Sequence, residues 1–136
     1  MNKIQKRTLF QSFAIACAAL LLTACAEMGT GMMRMPAKVS EGALTNQAGM
    51  TLYTFDRDTA GSGKSVCNGP CLGLWPAFSA SADAKSSGDW TVVTRDDGAQ
   101  QWAYKGKPLY TFSKDAKAGD KTGDGFNNNI WHTAKP

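Results

Sequence analysis

Gly49-Met50-Thr51-Leu52-Tyr53-Thr54-Phe55-Asp56-Arg57-Asp58 and Gly106-Lys107-Pro108-Leu109-Tyr110-Thr111-Phe112-Ser113-Lys114-Asp115 are one phrase written twice, at a constant offset of 57 residues. In an extended strand alternate residues share a face. Tyr53 and Phe55 therefore lie on one side, as do Tyr110 and Phe112, with Leu52, Thr54, Leu109 and Thr111 opposite. Bulky residues on both faces mark a central strand that is covered on each side. Asp58 and Asp115 come three positions after the Phe, where strand gives way to loop and a carboxylate can accept from loop amides. Each copy then runs on to a tryptophan: Trp75 follows Tyr53 by 22 residues and Trp131 follows Tyr110 by 21. Two copies are too few for a solenoid, which needs about three to bury a continuous core. They fit a pair of related halves sharing one core.

Outward from the repeat, the apolar runs are short, aromatic or β-branched, and punctuated by Gly, Asp, Asn and Pro. That pattern predicts an all-β fold, a small antiparallel domain of two halves with long Gly/Asp-rich loops. Strands are expected at 43–47, 51–56, 91–95, 100–104, 109–113 and 130–133, with a single helical turn at 72–75. Asp96-Asp97-Gly98 suits a hairpin turn, and Pro108 suits a strand start where no ladder donor is needed. The segments 57–66 and 113–129 read as surface loops.

The start of the chain is an address. Lys3, Lys6 and Arg7 precede an apolar run over 13–22, too short for a comfortable permanent span. Leu22-Thr23-Ala24-Cys25 resembles a bacterial lipobox, so residues 1–24 are expected to be a signal peptide and Cys25 a lipidated N-terminus. Two or three acyl chains on Cys25 would partner the protein durably with a membrane. Residues 25–42 are expected to form a tether, and 43–136 the two-repeat β domain, with halves at about 43–78 and 90–134. In a Gram-negative host, Ala26 after Cys25 points to the periplasmic face of the outer membrane. Removing 1–24 takes three of the 15 basic residues and none of the 11 acidic ones, so the net charge of +4 falls to near neutrality. The remaining Lys and Arg are dispersed, which argues against nucleic acid as a partner.

Tyr-x-aromatic-x-x-Asp, present as Tyr53/Phe55/Asp58 and Tyr110/Phe112/Asp115, resembles the motif of predicted bacterial lipoproteins described as a secreted repeat of unknown function. Cys67 to Cys71, Trp75-Pro76, Trp102, Tyr104 and Trp131-His132 support the resemblance, which covers about residues 43–134. It implies an envelope protein and no established reaction. The expected role is binding or structural, toward an unknown envelope ligand or protein, and not enzymatic.

Cys67 and Cys71 remain once Cys17 is cleaved away and Cys25 lipidated. In an oxidising compartment they read first as a structural disulfide, with Gly69 and Pro70 supplying the bend. Such a small loop restricts the unfolded chain by roughly 2 kcal/mol. The alternative is copper, held by Cys67, Cys71 and His132, with Met32, Met33 and Met35 as soft auxiliary ligands. Zinc would lack a fourth ligand, and thiol exchange lacks the Cys-x-x-Cys spacing at a helix start. No Gly-x-Ser-x-Gly elbow accompanies His132, the single histidine. Asp115, Asp120 and Asp124 lack EF-hand spacing and read as a solvated loop. The four tryptophans are expected to be core, with Trp90, which follows Gly88 and Asp89, the most exposed.

Overall fold

The computed structural model describes residues 34–136. The expected signal peptide, Cys25 and half of the expected tether, including Met32 and Met33, lie outside the described residues. The fold is almost entirely antiparallel β: β1 (Lys38–Ser40), β2 (Ala43–Thr45), β3 (Tyr53–Phe55), β4 (Trp90–Thr94), β5 (Gln100–Tyr104), β6 (Lys107–Pro108) and β7 (Trp131–Thr133). Two short turns interrupt it, α1 (Pro70–Leu74) and α2 (Phe126–Asn129). β1 pairs with β2, β3 with β7, and β4 with β5 and then β6. No helix among the described residues is long and apolar enough to cross a membrane.

Pairing starts at Lys38, within the stretch expected to be tether: Val39 faces Leu44 across the β1–β2 hairpin. The reason is the tight turn at Glu41-Gly42, both at positive φ (47° and 74°), which folds a polar, exposed strand back onto buried β2. The expected strand at 109–113 is mostly isolated bridging around Tyr110, with regular pairing confined to β6 just before it.

The two copies meet at their tyrosines. Tyr53 N donates to Tyr110 O (2.8 Å) and Tyr110 N donates to Tyr53 O (3.0 Å), so a local pseudo-twofold passes between them. Around it the halves exchange partners in matched pairs. Asp56 N donates to Ile130 O as Ser113 N donates to Leu74 O, and Ala134 N donates to Leu52 O as Phe78 N donates to Leu109 O. The first copy's strand is thus completed by the second half's β7, and the second copy's by the segment after Trp75. Each motif strand therefore borrows a partner from the opposite half.

The alternation read from Leu-Tyr-Thr-Phe produces two cores. Tyr53, Phe55, Tyr110 and Phe112 pack with Trp75, Trp131 and Cys67 on one side. Leu52 and Leu109 pack with Ala37, Leu44, Trp90 and Ala134 on the other. Trp90 corrects one expectation. It is only 5 % exposed, covered by the edge of Trp102 and by Tyr104 at ring separations of 6.1 and 4.8 Å. Trp102, which covers it, is the half-buried member of the four.

Candidate functional site

The repeat motif closes across the pseudo-twofold. Tyr53 hydroxyl donates to Asp115 Oδ2 at 2.7 Å, and Tyr110 hydroxyl donates to Asp58 Oδ2 at 2.6 Å. Each tyrosine therefore meets the aspartate of the other copy. The second carboxylate oxygen does what the sequence suggested. Asp58 Oδ1 accepts from Val66 N at 2.7 Å, and Asp115 Oδ1 accepts from Thr122 N at 3.0 Å and from Thr122 Oγ1. One side chain thus locks a loop with one oxygen and the opposite half with the other. All four side chains are buried. Burial, reinforced by the facing carboxylates, pushes both tyrosine hydroxyls far above their ordinary pKa. Burial likewise raises Asp58, outweighing its hydrogen bonds with Tyr110 and Val66 and the field of Arg95.

The two clasps differ in what lies behind them. Arg95, 4 % exposed, donates through Nη1 to Ser65 Oγ (2.8 Å) and Gln101 Oε1 (2.6 Å), and through Nη2 to Cys67 O and Asn68 Oδ1. Tyr110 has one proton and gives it to Asp58, so the 2.6 Å contact between Ser65 Oγ and Tyr110 hydroxyl must use the serine's proton. Donors therefore run in one direction, from guanidinium through Ser65 and Tyr110 to the Asp58 carboxylate. Behind the second clasp Thr122 stands where Ser65 does, Ala43 stands where Gln101 does, and Gly123 N donates to Tyr53 hydroxyl at 3.3 Å. Sequence reading placed Arg95 at the end of a strand and missed this role. A buried Tyr hydroxyl needs a partner, and that need was the available signal.

Four rings form a continuous stack through the pseudo-twofold. Trp75 and Trp131 lie face to face at 3.7 Å and 3°, with Phe112 on Trp75 at 4.3 Å and Phe55 on Trp131 at 4.2 Å. Tyr53 and Tyr110 meet the same tryptophans edge-on at 5.3 and 5.1 Å. Such pairs add about 0.5–1.5 kcal/mol each beyond their buried area. Gly123 must be glycine, because a Cβ there would come within 2.6 Å of Trp75.

Above this stack opens a cleft of about 580 Å³. Phe55, Trp75 and Trp131 form its floor, Val66 and Cys71 one wall, and Phe126, Asn127 and Ile130 the other, with Arg57 as the one charged residue of the lining. Val66 is 55 % exposed. The two walls occupy equivalent positions in the halves and are built differently. α1 is a right-handed turn opened by Pro70 and tied by the Cys67–Cys71 disulfide. Its counterpart runs through Asn127, Asn128 and Asn129 at φ 52°, 59° and 63°, a left-handed succession that L-residues other than Asn and Asp seldom adopt. Strained backbone of this kind gathers at ligand clamps and active sites.

The other sequence candidates scatter. Cys67 is fully buried and Cys71 half-buried, joined as the expected disulfide. His132 does not share the cleft. It sits between Trp131 and Thr133 on β7, opposite Thr54, and its Nε2 meets Asp56 Oδ2 at 2.9 Å. Met35 is exposed, and Met32 and Met33 lie outside the described residues. Among the described residues no three His, Cys, Asp or Glu side chains converge as a metal site. The Gly/Asp loop turns its carboxylates onto backbone: Asp120 Oδ2 accepts from Ala116 N and Lys117 N, and Asp124 Oδ1 accepts from Thr133 N.

A family model described as a secreted repeat of unknown function matches the chain twice, over residues 37–79 and 91–135. Those limits coincide with the two structural halves, each beginning near its first strand and ending with the segment that completes the other. No curated protein and no solved structure matches the chain.

Proposed function

The chain belongs to the family of secreted repeats of unknown function, and from that premise we propose that it is a lipid-anchored envelope binding module whose ligand lies in the cleft over the Trp75–Trp131 stack. The observation that carries this reading is the asymmetry of the cleft walls. A duplicated fold separates architecture from everything else: what both halves keep, the Tyr–Asp clasps and the stacked rings, is what the fold requires. What they do not share, the disulfide-tied α1 and the left-handed asparagine turn, faces the cleft. The apolar ring edges that the stack presents at the bottom favour an apolar group, and Arg57 favours one negative charge on it. The apolar rings and the single charge of the lining support a reading as a binding surface.

Anilinonaphthalene sulfonate is a suitable probe, being aromatic, largely apolar and singly anionic. It should quench tryptophan emission and saturate at one site. Val66→Asp places a like charge on an exposed wall position. It should weaken binding roughly tenfold while leaving stability within about 0.5 kcal/mol. Equal affinity in the variant would place the probe elsewhere and remove the cleft from consideration.

Anchoring has its own test. Mass spectrometry of the membrane fraction should find an acylated peptide beginning at Cys25. A soluble chain with unmodified Cys25 would end the anchoring half of the proposal and leave the cleft untouched.

A further inference from the structure

The strand pair β3–β7 has a second face. Phe55 and Trp131 point into the aromatic cleft, whereas their neighbours Thr54 and His132, paired directly across the ladder, line a separate pocket of about 300 Å³ on the other side. Three lysines, Lys105, Lys107 and Lys135, surround it with His132 and Tyr104, above an apolar base that includes Leu109 and Ala134. No carboxylate is in the lining. The ion pairs among the described residues are Lys121 with Glu41 and His132 with Asp56, so none of the three lysines has an acidic partner within 4.0 Å. We propose that this pocket binds a phosphoryl oxyanion.

The duplication again supplies the control. By the matched backbone pairings, the positions of Lys105, Lys107, His132 and Lys135 correspond in the first half to Ala48, Met50, Pro76 and Ser79. The fold is built equally well with neutral residues at all four places. The three lysines are therefore an addition to one half, not a requirement of the architecture.

Lys105 strengthens the case. It occupies the first left-handed position of the turn into β6, at φ 48°, followed by Gly106 at φ 80°. Gly106 is fixed, since a Cβ there would meet Gly61 N at 2.6 Å. Lys105 is not fixed by packing, and Asn or Gly would adopt its φ more cheaply. The chain nevertheless carries lysine there, with Nζ held 5.1 Å above the Tyr104 ring. A cation so placed is oriented before any ligand arrives, which reduces the ordering cost of binding.

Clustered lysines act on anions as point charges, and several facing one small space suit a ligand with several anionic oxygens better than a single carboxylate. A phosphate ester in solution and a phospholipid headgroup share that chemistry. This site is distinct from the aromatic cleft, and its fate does not depend on the cleft's.

Calorimetric titration of the full chain with pyrophosphate, with short-chain phosphatidylglycerol below its micelle concentration, and with short-chain phosphatidylcholine tests the proposal. Saturable binding of pyrophosphate or of phosphatidylglycerol, weakening as salt is raised, is the expected result. The tighter of the two identifies the source, free phosphate or headgroup, and the zwitterionic lipid should bind least. Lys105→Gln and Lys135→Gln should each weaken binding about tenfold, the loss of one charge-assisted contact, with an unchanged unfolding midpoint because both side chains are exposed. Absence of saturable binding to either anion, or full affinity in the double variant, would overturn the assignment.

Discussion

Above pH 10 the folded domain should lose stability at about 2.7 kcal/mol per pH unit. Tyr53 and Tyr110 are fully buried, and each donates its hydroxyl proton to a carboxylate. Ionising either would place a phenolate in a dry interior beside an aspartate, and both are held far above the ordinary tyrosine value of about 10. The unfolded chain has no such restraint and releases both protons near pH 10. Above that pH the native state therefore binds two more protons than the unfolded state, and each contributes about 1.4 kcal/mol of destabilisation per pH unit. The stability is fully present below pH 10 and falls continuously above it. A domain of this size has about 5–15 kcal/mol in total, and two or three pH units remove about 5–8 kcal/mol of it, enough to unfold a domain at the lower end of that range. Urea midpoints between about pH 9 and 12 measure the slope, and absorbance of tyrosinate should show Tyr53 and Tyr110 ionising only as the chain unfolds. Tyr53→Phe should halve the slope. A slope unchanged by Tyr53→Phe and by Tyr110→Phe would mean that the hydroxyls already ionise in the native state, and the clasp would not be the closed device described here.

Much of the architecture was legible because its signals are local. Alternation in Leu52-Tyr53-Thr54-Phe55 separates two faces, and the structure has a core on each. Gly98 marks the hairpin turn that turn chemistry assigns it, whereas Pro108, expected to open a strand, is the last residue of β6. The aspartate after each Phe does fix the strand exit, through Val66 N and Thr122 N. What local pattern could not supply is which copy a side chain serves. Tyr53 and Asp58 lie five positions apart and look like partners in sequence, yet each bonds across the pseudo-twofold to the opposite half. The same limit hid the exchange of β7, the role of Arg95 and the burial of Trp90, whose flanking Gly88 and Asp89 signal a turn but say nothing of Trp102 and Tyr104 arriving from β5. The strand at Lys38–Ser40 was missed because an exposed edge strand has no apolar alternation to betray it. The cleft and the basic pocket are illegible in the sequence because each gathers residues distant along the chain, at positions where the repeat fails to repeat.

Asp58→Ala and Asp115→Ala should have unequal effects even though the two residues are equivalent in the repeat. Asp115 accepts from neutral donors alone: Tyr53 hydroxyl, Thr122 N and Thr122 Oγ1. Removing it strands buried donors at about 1–3 kcal/mol. Asp58 accepts from a similar set, Tyr110 hydroxyl and Val66 N, but it also faces Arg95. Every acceptor that Arg95 bonds is neutral: Ser65 Oγ, Gln101 Oε1, Cys67 O and Asn68 Oδ1. Asp58, at the end of the Ser65–Tyr110 relay, is the carboxylate whose field reaches the guanidinium. Truncating it strands its donors and also removes that field from a buried cation it does not touch directly, which adds about 2 kcal/mol to the cost of the stranded donors. Asp58→Ala should therefore bring the domain close to unfolding under conditions where Asp115→Ala is folded and merely weakened. Arg95→Met supplies the control, because without the cation the loss of Asp58 costs only its neutral donors. In the Arg95→Met background Asp58→Ala should fall to the Asp115→Ala range, a coupling of about 2 kcal/mol that a double-mutant cycle in urea resolves. Equal costs for the two aspartates in the wild-type background would show that Arg95 is balanced by its neutral acceptors alone. The clasps would then be energetically as symmetric as the motif that encodes them.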